Sequence, residues 1–242
     1  MTTHDTQADG RATAGSTGVG AAAGGGTGGG RVRSQPRGWA LAGIGAGLAG
    51  LVSVQASMAV GASWEETAGD AEAVVADMAG RTTELLVFHT ATVAATALVV
   101  VFAAGLARRL GQQAPAGSLL PPVASAGLLL VAVATLLGSG LDTQFIFGFA
   151  EPDLLIPESG AFYVDWVATI PWLWVGAGLS GVAVAVAALR HAAAPRWIGW
   201  VSAVLGGLTL LLGLSPLQYM AGFTGPLWLL VVAVGFAAGD RR

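Results

Sequence analysis

RTTELLVFHTATVAATALVVVFAAGLARR, residues 81–109, decides the fold of this chain. Between Glu84 and Arg108 every residue is apolar, small or hydroxylated except His89. At 1.5 Å per residue, a helix over 83–107 is long enough to cross a hydrocarbon layer ~30 Å thick. Carboxylates precede this stretch and two arginines follow it, and that asymmetry gives it a direction, since positive charge stays on the cytoplasmic side. The same reading extends outward to apolar stretches at 39–61, 122–141, 162–189, 197–214 and 217–238. Arg31, Arg33 and Arg37 precede the first, Arg190 and Arg196 flank the fourth connection, and Arg241 and Arg242 end the chain. Glu65, Glu66, Asp70, Glu72 and Asp77 separate stretches one and two, where Arg81 is the lone cation. Asp142, Glu151, Asp153, Glu158 and Asp165 lie between, or just inside, stretches three and four. The alternation predicts an all-α polytopic protein: a six-helix transmembrane bundle over residues 37–242 with both termini cytoplasmic.

Composition agrees. Of 242 residues, 54% are hydrophobic and only 10% charged, with a mean hydropathy of +0.70. Soluble domains carry about a quarter charged residues, so the lipid bilayer is the expected solvent and partner. The net charge of −3 averages over two oppositely charged sides, and no nucleic-acid partner is implied. Cys, Lys and Asn are absent. The first absence excludes disulfides and thiolate metal sites. The other two, with the abundance of Ala, Gly, Val and Arg, read as a GC-rich bacterial genome.

Residues 1–36 include the run GAAAGGGTGGG and too few large apolar side chains to offset the entropy of ordering. They are expected to form a disordered cytoplasmic tail. Lacking an apolar core, this tail is no cleavable signal, so the first stretch acts as an uncleaved anchor in a plasma membrane. Trp39, Trp197 and Trp200 stand beside the arginines, while Trp64, Tyr163, Trp166 and Tyr219 mark the opposite interface.

On the outer side, Ser63 and Glu66 have capping-box spacing. They predict a short amphipathic helix with Val74, Val75 and Met78 inward and Glu66, Asp70 and Asp77 outward. Residues 143–161 are expected to be a second outer loop, folded back because Phe145, Ile146, Phe147 and Phe149 are a liability in water. Pro171, among Trp166, Trp172 and Trp174, should kink the fourth stretch. Gly225-Pro226 interrupts the sixth, leaving 215–225 as helix, external loop or re-entrant turn. Gly43/Gly47, Gly176/Ser180 and Gly235/Gly239 form small-xxx-small pairs suited to close helix packing within one chain.

An ionisable group inside a span is a functional candidate by default. His89 lies about six residues inside the second stretch and shares a helical face with Thr92, Val93 and Thr96. Two threonines suit that face to helix contact. Gln55, Glu84, Asp142, Gln144 and Asp165 lie at or above the same depth from the outer side, and with His89 they are the candidate ligand-binding residues of an outward-open polar pocket. In one reading His89 titrates there, oriented by Asp142 or Glu84. In the other it is a buried neutral histidine bonded to Gln55 or a backbone carbonyl, with the carboxylates solvated at helix ends. No cofactor is expected: a bis-His haem needs a second intramembrane histidine, but His4 is in the tail and His191 in a cytoplasmic turn. A zinc site has only His89 and carboxylates available.

Three resemblances bear on function. Gly178-Leu179-Ser180-Gly181 resembles the GxSG motif of rhomboid intramembrane proteases, but 217–238 lacks the histidine base that family requires. Glu65-Glu66 resembles the glutamate pair of CAAX-type membrane proteases, yet Asp70 stands where that motif has Arg. From Ala194 onward, APRWIGWVSAVLGGLTLLLGLSPLQYMAGFTGPLWLL resembles uncharacterised multi-pass membrane proteins of GC-rich bacteria. That likeness implies architecture and assigns no activity. The resulting expectation is a non-enzymatic membrane protein that binds a small or lipidic ligand. A proton-coupled transporter is the alternative, with a membrane-embedded enzyme third.

Overall fold

The computed structural model describes residues 37–239, excepting the side chains of Trp64, Pro171 and Trp172. The expected tail 1–36, with Arg31 and Arg33, and the terminal Arg241 and Arg242 lie outside the described residues. Helices α1 (Gly38–Val60), α2 (Trp64–Thr67), α3 (Ala71–Met78), α4 (Thr82–Gly111), α5 (Leu120–Gly138) and α6 (Asp142–Ala150) form the first half. They are followed by α7 (Pro157–Thr169), α8 (Val175–His191), α9 (Arg196–Val201), α10 (Gly207–Gly213) and α11 (Ala221–Gly239). No strand occurs among the described residues. Five helical segments are long and apolar enough to cross a membrane: Gly38–Thr67, Thr82–Gly111, Leu120–Ala150, Arg196–Gly213 and Gln218–Gly239, beside the shorter apolar Val175–His191. Leu130, Val133, Leu136 and Leu137 point outward from α5, as do Leu86, Val93 and Val101 from α4. An apolar solvent accounts for such a surface, which contiguous exposure to water would make a liability.

Two expectations are corrected. The segment 143–161 is not a loop. The chain passes from α5 through a 3-10 turn, Ser139–Leu141, straight into α6. Asp142, Phe145, Ile146 and Phe149 then continue the buried stripe begun by Thr135 and Gly138, at helical spacing. Burying three aromatic and aliphatic side chains on one face favours helix over an irregular turn. The stretch 162–189 is not one helix but α7, a 3-10 segment Ile170–Trp174, and α8. Pro171 supplies no N–H to the helical ladder there, so the expected kink is a five-residue break. Of the alternatives left for 215–225, the helical one holds from Gln218 on: after a short turn, 3-10 residues Gln218–Met220 lead into α11, which runs through Pro226.

The amphipathic element predicted at the acidic end is two helices, α2 and α3, rather than one begun by a Ser63–Glu66 box, with Val75 and Met78 buried and Val74 half-buried. Its side-chain cap is Asp70, which accepts from the Ala73 N–H at 3.0 Å. Arg81 fastens it to the bundle: Nη2 donates to both oxygens of Asp77 at 2.8 and 3.0 Å, while Nη1 donates to the carbonyls of Ala59 and Gly61 at 2.7 and 3.1 Å.

Buried apolar side chains form two clusters among the described residues. One surrounds Trp39, Phe102, Trp228 and Phe236 and includes Ile198 and Leu110, at the end where Arg108, Arg109, Arg190 and Arg196 leave the helices. The other gathers Met78, Leu85, Phe88, Phe145, Phe149 and Tyr163 beneath the acidic segments. The small-xxx-small residues pack within the chain, as expected. A Cβ on Gly47 would come 2.8 Å from the Leu230 Cα, one on Gly43 2.7 Å from Ala233 Cβ, and one on Gly235 2.7 Å from the Trp197 ring. Between Arg196 and Gly213 the helix contains a π-helical segment, Ser202–Gly206, where Gly206 lies against Gly181 of α8.

Candidate functional site

Asp142 is the organising residue. Its side chain is entirely buried, at the junction of the 3-10 turn with α6, and it does not cap that helix. Both oxygens are engaged from other helices. Tyr163 Oη of α7 donates to Oδ1 at 2.8 Å, and His89 Nδ1 of α4 lies 2.9 Å from Oδ2. The tyrosine is completely buried and stacks on Phe145 with ring centroids 4.4 Å apart and planes 12° from parallel. Phe149 and Phe88 close the surround. The carboxyl group thus sits among aromatic carbon, with two polar partners supplied by helices distant in sequence. Removing either partner would leave an unsatisfied buried group.

The imidazole differs: 33% of its side chain is exposed. With the ring proton on Nδ1, His89 donates to the Asp142 carboxylate and keeps Nε2 as an acceptor. A second proton on Nε2 makes an ion pair with Asp142 and turns that nitrogen into a donor. A buried carboxylate that fixes one nitrogen of a histidine and leaves the other available is the arrangement that orients imidazoles for binding and proton exchange.

Below the site a column of hydroxyls continues into the bundle. Ser53 Oγ and Thr92 Oγ1 are 2.7 Å apart, joining α1 to α4, and Thr96 Oγ1 and Thr135 Oγ1 are 2.8 Å apart, joining α4 to α5. His89, Thr92 and Thr96 therefore lie on a helix-contact face, as their spacing predicted, but Val93, expected on the same face, points outward. Each threonine also donates to, or shares, a carbonyl of the preceding turn. Trp166 Nε1 donates to the Gly138 carbonyl at 2.8 Å and holds α7 against the end of α5.

The other predicted residues do not join this site. Gln55 is exposed and, with Glu84, lines a separate groove between α1 and α4. Gln144 is exposed beside Leu141, Phe145 and Glu158. Asp165 is exposed in a depression shared with Asp70 and Glu158. The expected single pocket is thus corrected to one buried cluster and three surface sites. The physical reason is helical phase: five residues place Glu84 and His89 about 140° apart on α4, and Gln144 and Asp165 each lie two residues from an inward-facing neighbour, Asp142 and Tyr163. Tyr163 was missed as a site residue. Its signal is the buried stripe Gly160, Tyr163, Val164 and Val167 on α7.

Ser180, the hydroxyl of the GLSG string, is fully buried against α5 and donates to the Ala124 carbonyl at 2.7 Å, with Gly176 O a second acceptor at 3.2 Å. It is a packing residue. Among the described residues no group of three or more His, Asp or Glu is placed to hold a metal ion. The chain matches no family model, and no curated protein or solved structure is significantly similar to it.

Proposed function

We propose that this is a six-span protein of a bacterial plasma membrane, with cytoplasmic termini, that binds a small or lipidic ligand at its outer end without transforming it. The carrying observation is Asp142, wholly buried yet bonded to Tyr163 and to a His89 that remains one-third exposed. A carboxyl group buried only for stability would be weak evidence of advantage, because apolar replacements often pack as well. Its coupling to an accessible imidazole supports a binding role.

The orientation rests on charge. Arg108, Arg109, Arg190 and Arg196 emerge at one end and Glu65, Glu66, Asp70, Glu72, Glu151 and Asp153 at the other. The crossing beyond the five longer segments, fourth in chain order, is residues 170–191, whose 3-10 and α-helical parts together reach about 35 Å. The architecture implied by the resemblance over residues 194–238 fits this topology. Alkaline phosphatase fused after Asp77 or Ser159 should be active, and fused after Arg109 or Arg242 inactive. The reverse pattern would overturn the topology.

Binding is tested by thermal unfolding of the purified full chain against a panel of lipids and small polar metabolites, in parallel with His89→Gln. Gln can hydrogen-bond Asp142 but cannot change charge. Stabilisation of the native protein that is lost, or loses its pH dependence, in His89→Gln supports the site. Equal shifts in both proteins would refute it.

Proton-coupled transport is the second reading, favoured by the break at Ile170–Trp174, since discontinuous helices form the ion sites of many transporters. Against it, Trp174 fills the break, packing on Gly50 and Gly225. Proton flux into vesicles that is abolished by Asp142→Asn would establish this reading over the first.

A further inference from the structure

The groove between α1 and α4 is a second site, on a different face of α4 from His89. Its volume is about 450 Å³, and its walls are Leu51, Val52, Ala56 and Val87 with Gln55 and Glu84 nearer the acidic end. Val52 and Val87 are 48% and 45% exposed, so the groove opens sideways toward lipid. Glu84 is half-buried and lines this groove, with Oε2 turned into the protein where no described residue hydrogen-bonds it. It stands in the first turn of a 30-residue helix, where the dipole favours negative charge. The cation nearest in sequence, Arg81, is committed to Asp77, Ala59 and Gly61. A carboxylate held beside an apolar groove with no donor from the described residues favours a cationic hydrogen-bond donor in the groove itself.

The surroundings specify what would. Glu84 is two residues inside the end of α4, at the level of lipid headgroups. Gln55 lies about 7.5 Å below the end of α1, at the level of the glycerol esters. Only apolar side chains follow below. We propose that the groove holds a phospholipid with a primary-ammonium headgroup, its N–H groups donating to Glu84 and one acyl chain lying along Val52 and Leu51. A trimethylated headgroup has the same charge but no N–H to donate, and a glycerol headgroup leaves the phosphate's negative charge beside the carboxylate.

Native mass spectrometry of the full chain, released from bilayers equimolar in phosphatidylethanolamine, phosphatidylcholine and phosphatidylglycerol, tests this. The amine lipid should be retained over each of the others by on the order of tenfold, the scale of one charge-assisted hydrogen bond. The isosteric Glu84→Gln should erase that preference, and Val52→Trp, which fills the groove, should reduce retention of the amine lipid while the protein remains monodisperse. His89→Gln should leave the preference intact, separating this groove from the Asp142 site. Equal retention of the three lipids, a preference for phosphatidylglycerol, an unchanged preference in Glu84→Gln or unchanged retention in Val52→Trp would each overturn the proposal.

Discussion

From mid-bundle to the end where Arg108 and Arg196 leave the helices, helices meet through glycine, against backbone or an aromatic ring; at the acidic end they meet through buried hydrogen bonds. Gly181 of α8 lies on Gly206, Gly105 accepts the Trp39 ring, and Trp39 in turn touches Phe102 and Phe236 with centroids 5.4 Å away. Polar links are few there, the Trp228 indole N–H to Ser202 at 3.0 Å being one. Beneath the acidic segments, Asp142, His89 and Tyr163 join three helices, and hydroxyl pairs continue the seam. In lipid there is no hydrophobic force between helices, so close packing and interhelical hydrogen bonds carry association. The first half relies on contact that tolerates no change of volume. The second relies on partners that tolerate no loss of an acceptor, and it includes the accessible polar groups.

The sharpest test of the contrast is steric. Gly181→Leu would place a Cβ 2.5 Å from the Gly206 Cα, backbone against backbone. It should cost about 3 kcal/mol or more, or abolish folded protein. Gly207→Ala, where a Cβ meets nothing within 4 Å, should change stability by under about 0.5 kcal/mol. Unfolding temperatures in detergent compare the two, and equal temperatures would remove the argument for a glycine-dependent half.

Next in size is the loss of an acceptor. Asp142→Ala leaves the Tyr163 hydroxyl and His89 Nδ1 without partners and should destabilise by about 2–3 kcal/mol, whereas Tyr163→Phe, which removes one bond, should cost about 1 kcal/mol. An Asp142→Ala protein as stable as the native one would show that the cluster holds nothing together. A double-mutant cycle on Thr96→Val and Thr135→Val should return a coupling near 0.6 kcal/mol, the usual size for such pairs in membranes. A value near zero would make their 2.8 Å contact incidental.

The smallest effect has the opposite sign. Ala192 closes α8 with φ 51°, a left-handed cap in which the Ala193 N–H reaches the Ala187 carbonyl at 3.0 Å. Glycine adopts that conformation without a Cβ clash, so Ala192→Gly should stabilise by about 0.5 kcal/mol after its greater unfolded entropy is counted. A lowered unfolding temperature would contradict the assignment.

Much of this was legible beforehand for local reasons. Hydropathy and length located the apolar helices, because a backbone in lipid must satisfy itself within each segment. The i, i+3 and i+7 positions of His89, Thr92 and Thr96 named a contact face, because helical phase is a local property. Depth alone leaves Gln55, Glu84 and Asp142 as alternative partners of His89, and the structure selects Asp142. Residues 143–161 were misread as loop because aromatic residues beside Glu151 and Pro152 suit a folded-back turn as well as a short helix. Their stripe becomes decisive only once Tyr163 offers it a surface.

The sequence by itself determined the helical class, the separation of arginines from carboxylates and the depth of each polar group, since these follow from composition and a fixed rise per residue. Only the tertiary structure decided which polar groups meet. Gln55, Glu84, Gln144 and Asp165 have the right depth but the wrong azimuth. Azimuth relative to a neighbour depends on how whole helices rotate to bury glycine against glycine and ring against ring, a choice no single span can make.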